Sequence, residues 1–327
     1  MHSTDEFVLE QLQAWGAAGK RSWLNMITGG TGSSPRPVGS IMACNEDGDI
    51  AGSLSGGCVE DDFIEKISAA ELTSERPAML QYGVSAAENE RLGLPCGGRL
   101  NVLCEPMIRA GQFEQVSQLL DAIRNRRCIA RTVNLADGSS SLSDITRPVD
   151  VTVTEHEVRR CFGPVMQMLL IGAGHMSRVL AELALAMDYR VLVCDPREHM
   201  RAQWTLNEVP VLSAMPDDAV RELASDPQSM VITLTHDPRF DDMALMEALT
   251  HPLFYIGALG SMRTTRKRLQ RLRDLGLSEQ ELARLDAPVG LDIGSKTPME
   301  IAISILGQIT LKRRLGHSLV SPTLDGL

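Results

Sequence analysis

The 327-residue sequence contains no apolar run close to the roughly 20 residues that a membrane-spanning helix needs, and no stretch composed like a secretory signal. It has no internal repeat and no low-complexity tract. It also lacks an excess of basic charge, because its formal net charge is −10, whereas a general nucleic-acid binder presents a basic surface. We therefore expect a cytoplasmic protein with no membrane span and no nucleic-acid partner.

The seven cysteines form no C-x-x-C pair, and their number is odd. This pattern favours free thiols in a reducing compartment over a disulfide framework or a zinc site. Two thiols stand next to pairs of glycines, namely Cys58 and Cys96. Four others lie inside apolar strands and are predicted to be core residues: Cys44, Cys104, Cys128 and Cys194.

The two halves of the chain differ in the order of their apolar segments. Residues 1–150 mix short strands with helices, which predicts an α+β domain. Over residues 164–327 apolar strands alternate with helices, the order that is typical of a doubly wound parallel sheet. The segment 144–164 is the predicted link between them. We therefore predict an α/β protein with an N-terminal α+β domain and a C-terminal Rossmann-type domain.

The segment LLIGAGHMSRVLAELALAMDYRVLVCDPR (169–197) shows the order strand, glycine turn, helix, strand and acid. Gly172 permits a tight turn, and Gly174 lets backbone amides approach a phosphate at the start of the helix. Ser177, where a third glycine often stands, is small enough for close packing. This pattern predicts a phosphate-bearing ligand, and a Rossmann scaffold that binds no dinucleotide is the alternative.

Two further residues of this segment are candidates for ligand contact. Asp195 ends the second strand, where an acid can bond a ribose hydroxyl and repel a 2′-phosphate, although Arg197 could receive such a phosphate. His175 stands inside the glycine turn, which is unusual for a plain NAD loop. It is interpreted as a contact to a phosphate or another ligand, or as a solvent-facing residue at the helix start.

Polar groups also follow the next two apolar strands. His236 and Asp237 come after SMVITL, and Gly260 and Ser261 form a second glycine turn after LFYIGA. The carboxyl ends of parallel strands open into one crevice, so we expect these residues to line the same site. The basic helix that follows, MRTTRKRLQRLR (262–273), is interpreted as a solvated face or, at its first residues, as a clamp for an anion.

The segment SLSGGCVEDD (53–62) places Cys58 directly after Gly56 and Gly57, at the start of a helix predicted over 59–72. The helix dipole there favours a thiolate, whereas the three carboxylates that follow raise the pKa of a thiol. We expect a reachable thiol suited to ligation or exchange. Cys96, in LPCGG, repeats the pattern beside amides that can form an anion-binding nest. Plain packing is the alternative role for both thiols.

Seven motifs, in the same order along the chain, resemble those of the XdhC/CoxI family, whose members are accessory proteins for xanthine dehydrogenase and related molybdenum hydroxylases. The resemblance runs over about residues 20 to 310. The motifs are GGTGSSPRPVGS, SLSGGCVE, LPCGG, LLIGAGHMS, TLTHDPRFD, YIGALGSMRTTRKRLQRL and VGLDIGSKTPMEIAISILGQI.

The resemblance implies a chaperone that binds the molybdenum cofactor, holds it during addition of a terminal sulfur ligand and delivers it to an apo molybdenum hydroxylase subunit. By position, Cys58 and Cys96 would contact molybdenum or its sulfur ligands. Gly172, Gly174 and His175 would contact the phosphate of molybdopterin, or the attached nucleotide of a cytosine dinucleotide form. A cysteine desulfurase and a second copy of the chain, forming a homodimer, are the further partners.

Two other readings of the residues remain open. The first is an NAD-dependent oxidoreductase in which His236 is the acid/base, Asp237 orients it and the N-terminal domain holds the substrate. The second is a nucleotide-sensing interaction module, in which the ligand only stabilises a binding surface. Whether the protein is an enzyme therefore depends on what the glycine turns bind.

Overall fold

The computed structural model describes residues 4–31, 36–72, 75–83, 99–145 and 151–316. The chain divides into two compact units. The first unit is His2–Pro164, and the second unit is Val165–Leu327 together with Met1. Each unit has its own hydrophobic core. Among the helices within the described ranges, none is long and apolar enough to cross a bilayer.

The first unit combines helices with antiparallel strands, which confirms the predicted α+β class. Its helices are α1 (Thr4–Ala17), α2 (Cys58–Ser68) and α3 (Ala110–Arg124). Its strands are β1 (Ser22–Thr31), β2 (Ile41–Asn45), β3 (Ile50–Gly52), β4 (Ala78–Tyr82), β5 (Arg99–Met107), β6 (Cys128–Asn134), β7 (Ser140–Ile145), β8 (Thr152–Val153) and β9 (Glu157–Phe162). They form a five-stranded sheet in the order β3-β2-β1-β5-β4 and a four-stranded sheet in the order β7-β6-β9-β8.

Strand β1 is buried on both faces, because helices cover both sides of its sheet. Leu24 and Met26 pack in one cluster with apolar residues of α1 and α3. Trp23 and Ile27 point the other way and pack in a second cluster with residues of α2. This is the alternation of faces that a β-strand imposes on successive side chains. It fixes α2, and with it the residues that precede α2, against the centre of the sheet.

The segment predicted as a link, 144–164, belongs to the first unit instead. Strand β9 lies within it and pairs antiparallel with β6. Along β9 the buried residues alternate with more exposed ones, and Val158 and Phe162 are part of the core. Three charged residues in EVRRCF conceal this alternation in the sequence. The helix that was predicted to run to Leu72 ends at Ser68.

The second unit is a parallel sheet flanked by helices, as predicted for a Rossmann-type domain. Its strands are β10 (Gln167–Ile171), β11 (Arg190–Cys194), β12 (Val211–Leu212), β13 (Ser229–Thr233), β14 (Tyr255–Ala258) and β15 (Leu285–Asp286). Its helices are α4 (His175–Ala186), α5 (Glu198–Arg201), α6 (Pro216–Leu223), α7 (Pro238–Ala248), α8 (Met262–Asp274), α9 (Glu279–Leu282) and α10 (Pro298–Gly316).

The strand order of this sheet is β12-β11-β10-β13-β14-β15, and every neighbouring pair is parallel. The chain therefore builds outward from β10 to β12 and then returns to the other side of β10 at β13. Ligands of open parallel sheets bind beyond the carboxyl ends of the strands at such a reversal. In this unit that position lies just after β10 and β13.

Candidate functional site

The segment between β3 and α2 carries Cys58 on an open stretch of backbone. Cys58 is the first residue of α2, one residue before the predicted helix start. Gly56 and Gly57 have φ angles of 92° and 146°, in the region that favours glycine. Among the described residues, and apart from the two chain neighbours, no heavy atom lies within 4 Å of a Cβ atom added at either glycine. Side chains of the described residues therefore leave the backbone at these two glycines uncovered.

The same segment folds around the carboxylate of Glu60, which is 8% exposed. Its Oε1 atom accepts hydrogen bonds from the backbone N–H groups of Leu54 at 2.6 Å and Ser55 at 2.9 Å. Oε1 also accepts from the hydroxyl of Ser53 at 2.7 Å, and Oε2 accepts from the N–H of Gly57 at 2.9 Å. One buried acid therefore determines the path of residues 53–57.

Glu60 remains ionised over a wide pH range. Burial alone would raise its pKa, but the hydrogen bonds from Ser55 and its neighbours outweigh burial and lower the pKa to about 2. From the sequence, Glu60 is only one of three acids near a thiol. Glu60 is the third residue after the helix cap Gly57, the position from which a Glu side chain reaches back to the cap N–H, and this spacing could have identified its role.

Three other thiols of the first and second units are buried in the cores, as predicted: Cys44, Cys104 and Cys194. Burial raises the pKa of Cys44 and of Cys194 to about 12, and it also raises that of Cys104. They stay protonated and lack thiolate chemistry. Cys128 was predicted to be a core residue but is only half-buried. Cys96 lies outside the described residues.

The two glycines after β10 differ in what surrounds them. Gly172 has a φ of 109°, and a Cβ there would lie 2.9 Å from Cγ2 of Thr235 and 3.2 Å from its backbone. Gly174 has a φ of −90°, and the nearest atom to an added Cβ is the terminal methyl of Met200 at 3.9 Å. Gly172 therefore allows close packing after β13, whereas Gly174 borders open space at the start of α4.

Asp195 is fully buried and holds the glycine turn in place. Its Oδ2 accepts a hydrogen bond from the N–H of Ala173 at 2.8 Å, and its Oδ1 accepts from the N–H of Arg197 at 3.0 Å. The guanidinium of Arg197 donates to both oxygens, at 2.9 and 2.8 Å. Burial would raise the pKa of Asp195, but these bonds keep it below its usual value. Both oxygens that were predicted to meet a ribose are thus engaged within the protein.

The predicted residues after β13 are also placed by local contacts. Asp237 caps α7, accepts a hydrogen bond from the N–H of Arg239 at 3.0 Å and directs both carboxylate oxygens to its guanidinium. This pair lowers the pKa of Asp237 to about 2. His236 is exposed and has a φ of 62°. At the start of α4, His175 is exposed, with Nδ1 3.3 Å from Nη2 of Arg178.

The second glycine turn lies between β14 and α8. Ser261 caps α8, because its hydroxyl accepts a hydrogen bond from the N–H of Thr264 at 3.2 Å. At Gly260 an added Cβ would lie 3.2 Å from Cβ of Thr264. Arg268 is buried and donates to Asp241 at 3.0 Å, so part of the basic run is structural. The exposed residues near the start of α8 include Arg263, Arg266 and Lys267.

The predicted site residues therefore form two groups. Gly56, Gly57 and Cys58 lie together in the first unit. The glycine turn at 172–174, its anchor Asp195 and the residues after β13 and β14 lie at one edge of the parallel sheet in the second unit. The first group offers a thiol beside open backbone, and the second offers the start of a helix where a phosphate can bind.

Two models of one family match the chain. The XdhC Rossmann domain matches residues 168–309, and the XdhC and CoxI family matches residues 15–83. Together they cover more than half of the chain. The chain is also similar to a crystal structure described as a xanthine dehydrogenase from Bacillus halodurans, with a TM-score of 0.72, 23% identity and coverage of 96% of this chain and 98% of that one. This likeness shows the fold.

Three bacterial proteins are similar in sequence. The molybdenum cofactor insertion chaperone PaoD of Escherichia coli is 28% identical over 94% of this chain and 87% of its own length. A protein of Bacillus subtilis named as a probable xanthine dehydrogenase subunit is 26% identical over 86% of this chain and 90% of its own length. YqeB of Escherichia coli, an uncharacterized protein, is 27% identical over 86% of this chain, which spans only 42% of YqeB. With the seven motifs, both family models and a shared fold, the chain belongs to the XdhC/CoxI family.

Proposed function

We propose that this protein is a maturation factor that binds the molybdenum cofactor and delivers it to an apo molybdenum hydroxylase subunit. The observation that carries this proposal is the helix start at Cys58, where the described residues leave the backbone of Gly56 and Gly57 uncovered and Glu60 holds that backbone in place. Family membership supports it, as does similarity to a protein named as a molybdenum cofactor insertion chaperone.

The residues of both groups suit this ligand. Molybdenum is thiophilic, so Cys58 and Cys96 are the proposed contacts for the metal or its sulfur ligands. In the second unit, the open space beside Gly174, with His175 next to it, is a separate proposed site for the phosphates of a nucleotide such as a cytidine nucleotide. When bound, the cofactor supplies the metal centre that the client enzyme uses. The chain's own residues bind it, orient it and shield it until transfer.

Finer parts of the proposal concern partners. Addition of a terminal sulfur ligand while the cofactor is bound requires a sulfur donor, for which we propose a cysteine desulfurase. A homodimer is the proposed assembly, and light scattering of the purified protein at micromolar concentration tests it. A mass equal to that of one chain, 35.7 kDa, would argue against the dimer.

The main experiment compares Cys58→Ser with the wild type after production in cells that make the cofactor. Molybdenum is measured by mass spectrometry, and the pterin by its fluorescence after oxidation. We expect Cys58→Ser to lose both signals and the activation of an apo hydroxylase, with a melting temperature within about 2 °C of the wild type. Cys128→Ser, at a half-buried thiol, is the control. Normal cofactor content in Cys58→Ser would refute the role of this thiol.

Labelling supplies an independent measurement. Iodoacetamide should modify Cys58 in the cofactor-depleted protein, and bound cofactor should protect it. The buried thiols with raised pKa values, Cys44 and Cys194, should remain unlabelled in the folded protein and serve as internal references. Equal labelling of Cys58 with and without cofactor would place the cofactor elsewhere.

The open start of α4 favours one second candidate, a nucleotide-binding function of the second unit. As an NAD-dependent oxidoreductase the protein would use His236 with Asp237, yet Asp237 directs both oxygens to Arg239. Consumption of NADH with a small carbonyl substrate would support the enzyme. A thermal shift caused by nucleotide alone would support a nucleotide-sensing module.

A further inference from the structure

The first unit contains a cavity of about 390 Å³ that the function proposed above does not use. This volume lies within the range of small-molecule sites, which is roughly 300–1,000 Å³. The residues around it come from α1, from the segment before β2, from the segment after β3 and from the region of β9. They include Asp5, Arg36, Ser53 and Arg160.

Two of the motifs that identify the family meet at this cavity. The residues from Arg36 to Ser40 belong to GGTGSSPRPVGS, which has no role so far, and Ser53 begins SLSGGCVE. The hydroxyl of Ser53 donates to Glu60 at 2.7 Å and accepts from the N–H of Gly56 at 3.0 Å. The wall of the cavity is therefore part of the same loop that presents Cys58.

The charges around the cavity favour an anion. Arg36 and Arg160 line it, and among the described lining residues Asp5 is the one carboxylate. Asp5 accepts a hydrogen bond from one nitrogen of Arg160, and Nη2 lies 2.6 Å from Oδ2. An arginine side chain has five N–H donors, so a hydrogen bond to one carboxylate oxygen leaves most of these donors available. Two arginines and one carboxylate are thus the charged groups among the described residues of the wall.

Arg160 is held rigidly and keeps a donor without a partner. It is 9% exposed, and its guanidinium lies over the ring of Phe162, 4.1 Å from the ring centre. Its Nη1 atom is buried and has no hydrogen-bond partner in the described part of the chain. Buried donors are nearly always satisfied, so Arg160 retains hydrogen-bonding capacity beyond its contact with Asp5.

We propose that this cavity binds the phosphate group of a small phosphate monoester, with Arg36 and Arg160 as the cationic contacts. Arginine recognises phosphate through paired hydrogen bonds, which suits a rigid guanidinium at the wall of a small-molecule cavity. The inference rests on the proposed function in one respect: the monoester is the phosphate of the bound pterin. The phosphate would then bind in the same unit as Cys58. Ser53 belongs both to the wall of the cavity and to the loop that precedes Cys58.

Binding of inorganic phosphate, measured by calorimetry, tests the site without the cofactor. Arg36→Gln and Arg160→Gln should each weaken binding by roughly tenfold or more, the loss expected for one charge-assisted contact. Asp5→Asn should strengthen binding, because it removes the carboxylate that competes for Arg160. Arg127→Gln, at an exposed arginine of the first unit that pairs with Asp144, is the matched control and should change nothing.

Arg36 gives the cleaner test. It is exposed, so its substitution leaves the core intact, whereas Arg160 packs on Phe162 and its variant must first be shown to fold by circular dichroism. Phosphate binding that is unchanged in Arg36→Gln and in a folded Arg160→Gln overturns the proposal. Unchanged affinity in Asp5→Asn also counts against it, because the competing charge would then be irrelevant.

A second measurement separates this inference from the proposed function. The proposal expects Arg36→Gln to lower the content of bound pterin, and phosphate to compete with the cofactor. Normal pterin content in Arg36→Gln together with its loss in Cys58→Ser would overturn the inference and leave the proposed function standing. Phosphate binding that depends on Arg36 in a protein that never holds a pterin would support the cavity as a phosphate site and overturn the proposed function.

Discussion

The Oε1 atom of Glu60 lies 2.6 Å from the backbone nitrogen of Leu54, which precedes it by six residues. This contact folds the segment between β3 and α2 back onto the first turn of its own helix. In the segment SLSGG only Leu54 packs in the core, so hydrophobic burial alone cannot determine the path of the serines and glycines around it. The carboxylate does so instead, and the backbone that presents Cys58 is preorganised before any ligand binds.

The first prediction concerns the stability that Glu60 provides. In Glu60→Gln an NH2 group replaces one of the acceptor oxygens and the charge is lost, so N–H groups of the loop lose their partner. We expect the free energy of unfolding of the first unit to fall by about 3 kcal/mol, since bonds to charged groups contribute about 1.5–3 kcal/mol each. The measurement is urea denaturation followed by tryptophan fluorescence. In a Trp204→Phe background the signal comes from Trp15 and Trp23, and therefore from this unit alone.

The control for this measurement is Asp61→Asn, the exposed neighbour of Glu60. Its free energy of unfolding should stay within about 0.5 kcal/mol of the wild type, as is usual for surface substitutions. If Glu60→Gln proves as stable as Asp61→Asn, the carboxylate does not hold the loop. The cofactor content of the two variants then shows whether loop geometry matters for binding.

The second prediction is a pH dependence with a definite sign. The pKa of Glu60 is about 2 in the folded protein, lowered from an ordinary value of 4.5. A lowered pKa means that the ionised form stabilises the fold, fully above about pH 4.5, and that this contribution is lost as the pH falls towards about 2. The stability difference between wild type and Glu60→Gln should therefore shrink between about pH 6 and pH 3. A constant difference over this range would show that ionisation is irrelevant.

Local signals explain how much of the first unit could be predicted. The hairpin of β2 and β3 and the start of α2 follow from apolar runs, turn residues and glycines that are adjacent in sequence. Strand β9 could not be predicted in this way, because its buried Arg160 pairs with Asp5, 155 residues earlier. A pattern of apolar residues cannot reveal a charged side chain that is buried by so distant a partner.

The second unit was predicted more completely, because each strand and helix there is a local apolar pattern and the parallel order follows from their alternation. The contacts of Asp195 within the protein were not predicted, and its contact to a ribose stays a prediction. An acid at the end of the second strand is typical of ribose recognition, but here its oxygens reach back to Ala173 and sideways to Arg197. Those contacts depend on the turn geometry of residues 195–197, which spacing alone does not specify.

The third prediction follows from this role of Asp195. In Asp195→Asn the charge that pairs with Arg197 disappears. Water can hydrate the guanidinium of Arg197 only partly, since its side chain is 25% exposed. We expect residues 167–174 to lose about 2 kcal/mol of protection against hydrogen exchange, as for a buried charged hydrogen bond. Glu198→Gln, at an exposed acid nearby, should change nothing.

The same variant distinguishes an anchor from a ligand contact. If Asp195 bonded a ribose directly, Asp195→Asn would weaken the binding of NAD or a cytidine nucleotide while leaving exchange at residues 167–174 unchanged. As an anchor, it should raise exchange even when no nucleotide is present. Unaltered exchange in the ligand-free variant would restore the ribose interpretation.

The fourth prediction contrasts the two glycines of the turn. In Gly172→Ala a Cβ would lie 2.9 Å from Thr235 on a backbone with a φ of 109°, so we expect a loss of roughly 1–3 kcal/mol in the stability of the second unit. In Gly174→Val the backbone is ordinary and the nearest atom to the new Cβ is 3.9 Å away, so the fold should persist. Valine is a poor residue before a helix, which costs about 1 kcal/mol at most.

The binding of a phosphate-bearing ligand should depend more on Gly174 than on Gly172, the reverse of the order expected for stability. The valine side chain occupies the space beside the first amides of α4, so Gly174→Val should abolish the binding of a phosphate-bearing ligand, with pyrophosphate and a cytidine nucleotide as the probes. Calorimetry on the folded variant measures this directly, and Gly174→Ala, which adds a single methyl group, should retain part of the affinity. Full affinity in a folded Gly174→Val protein would show that the ligand binds elsewhere, because no phosphate could then be seated against the backbone at this turn.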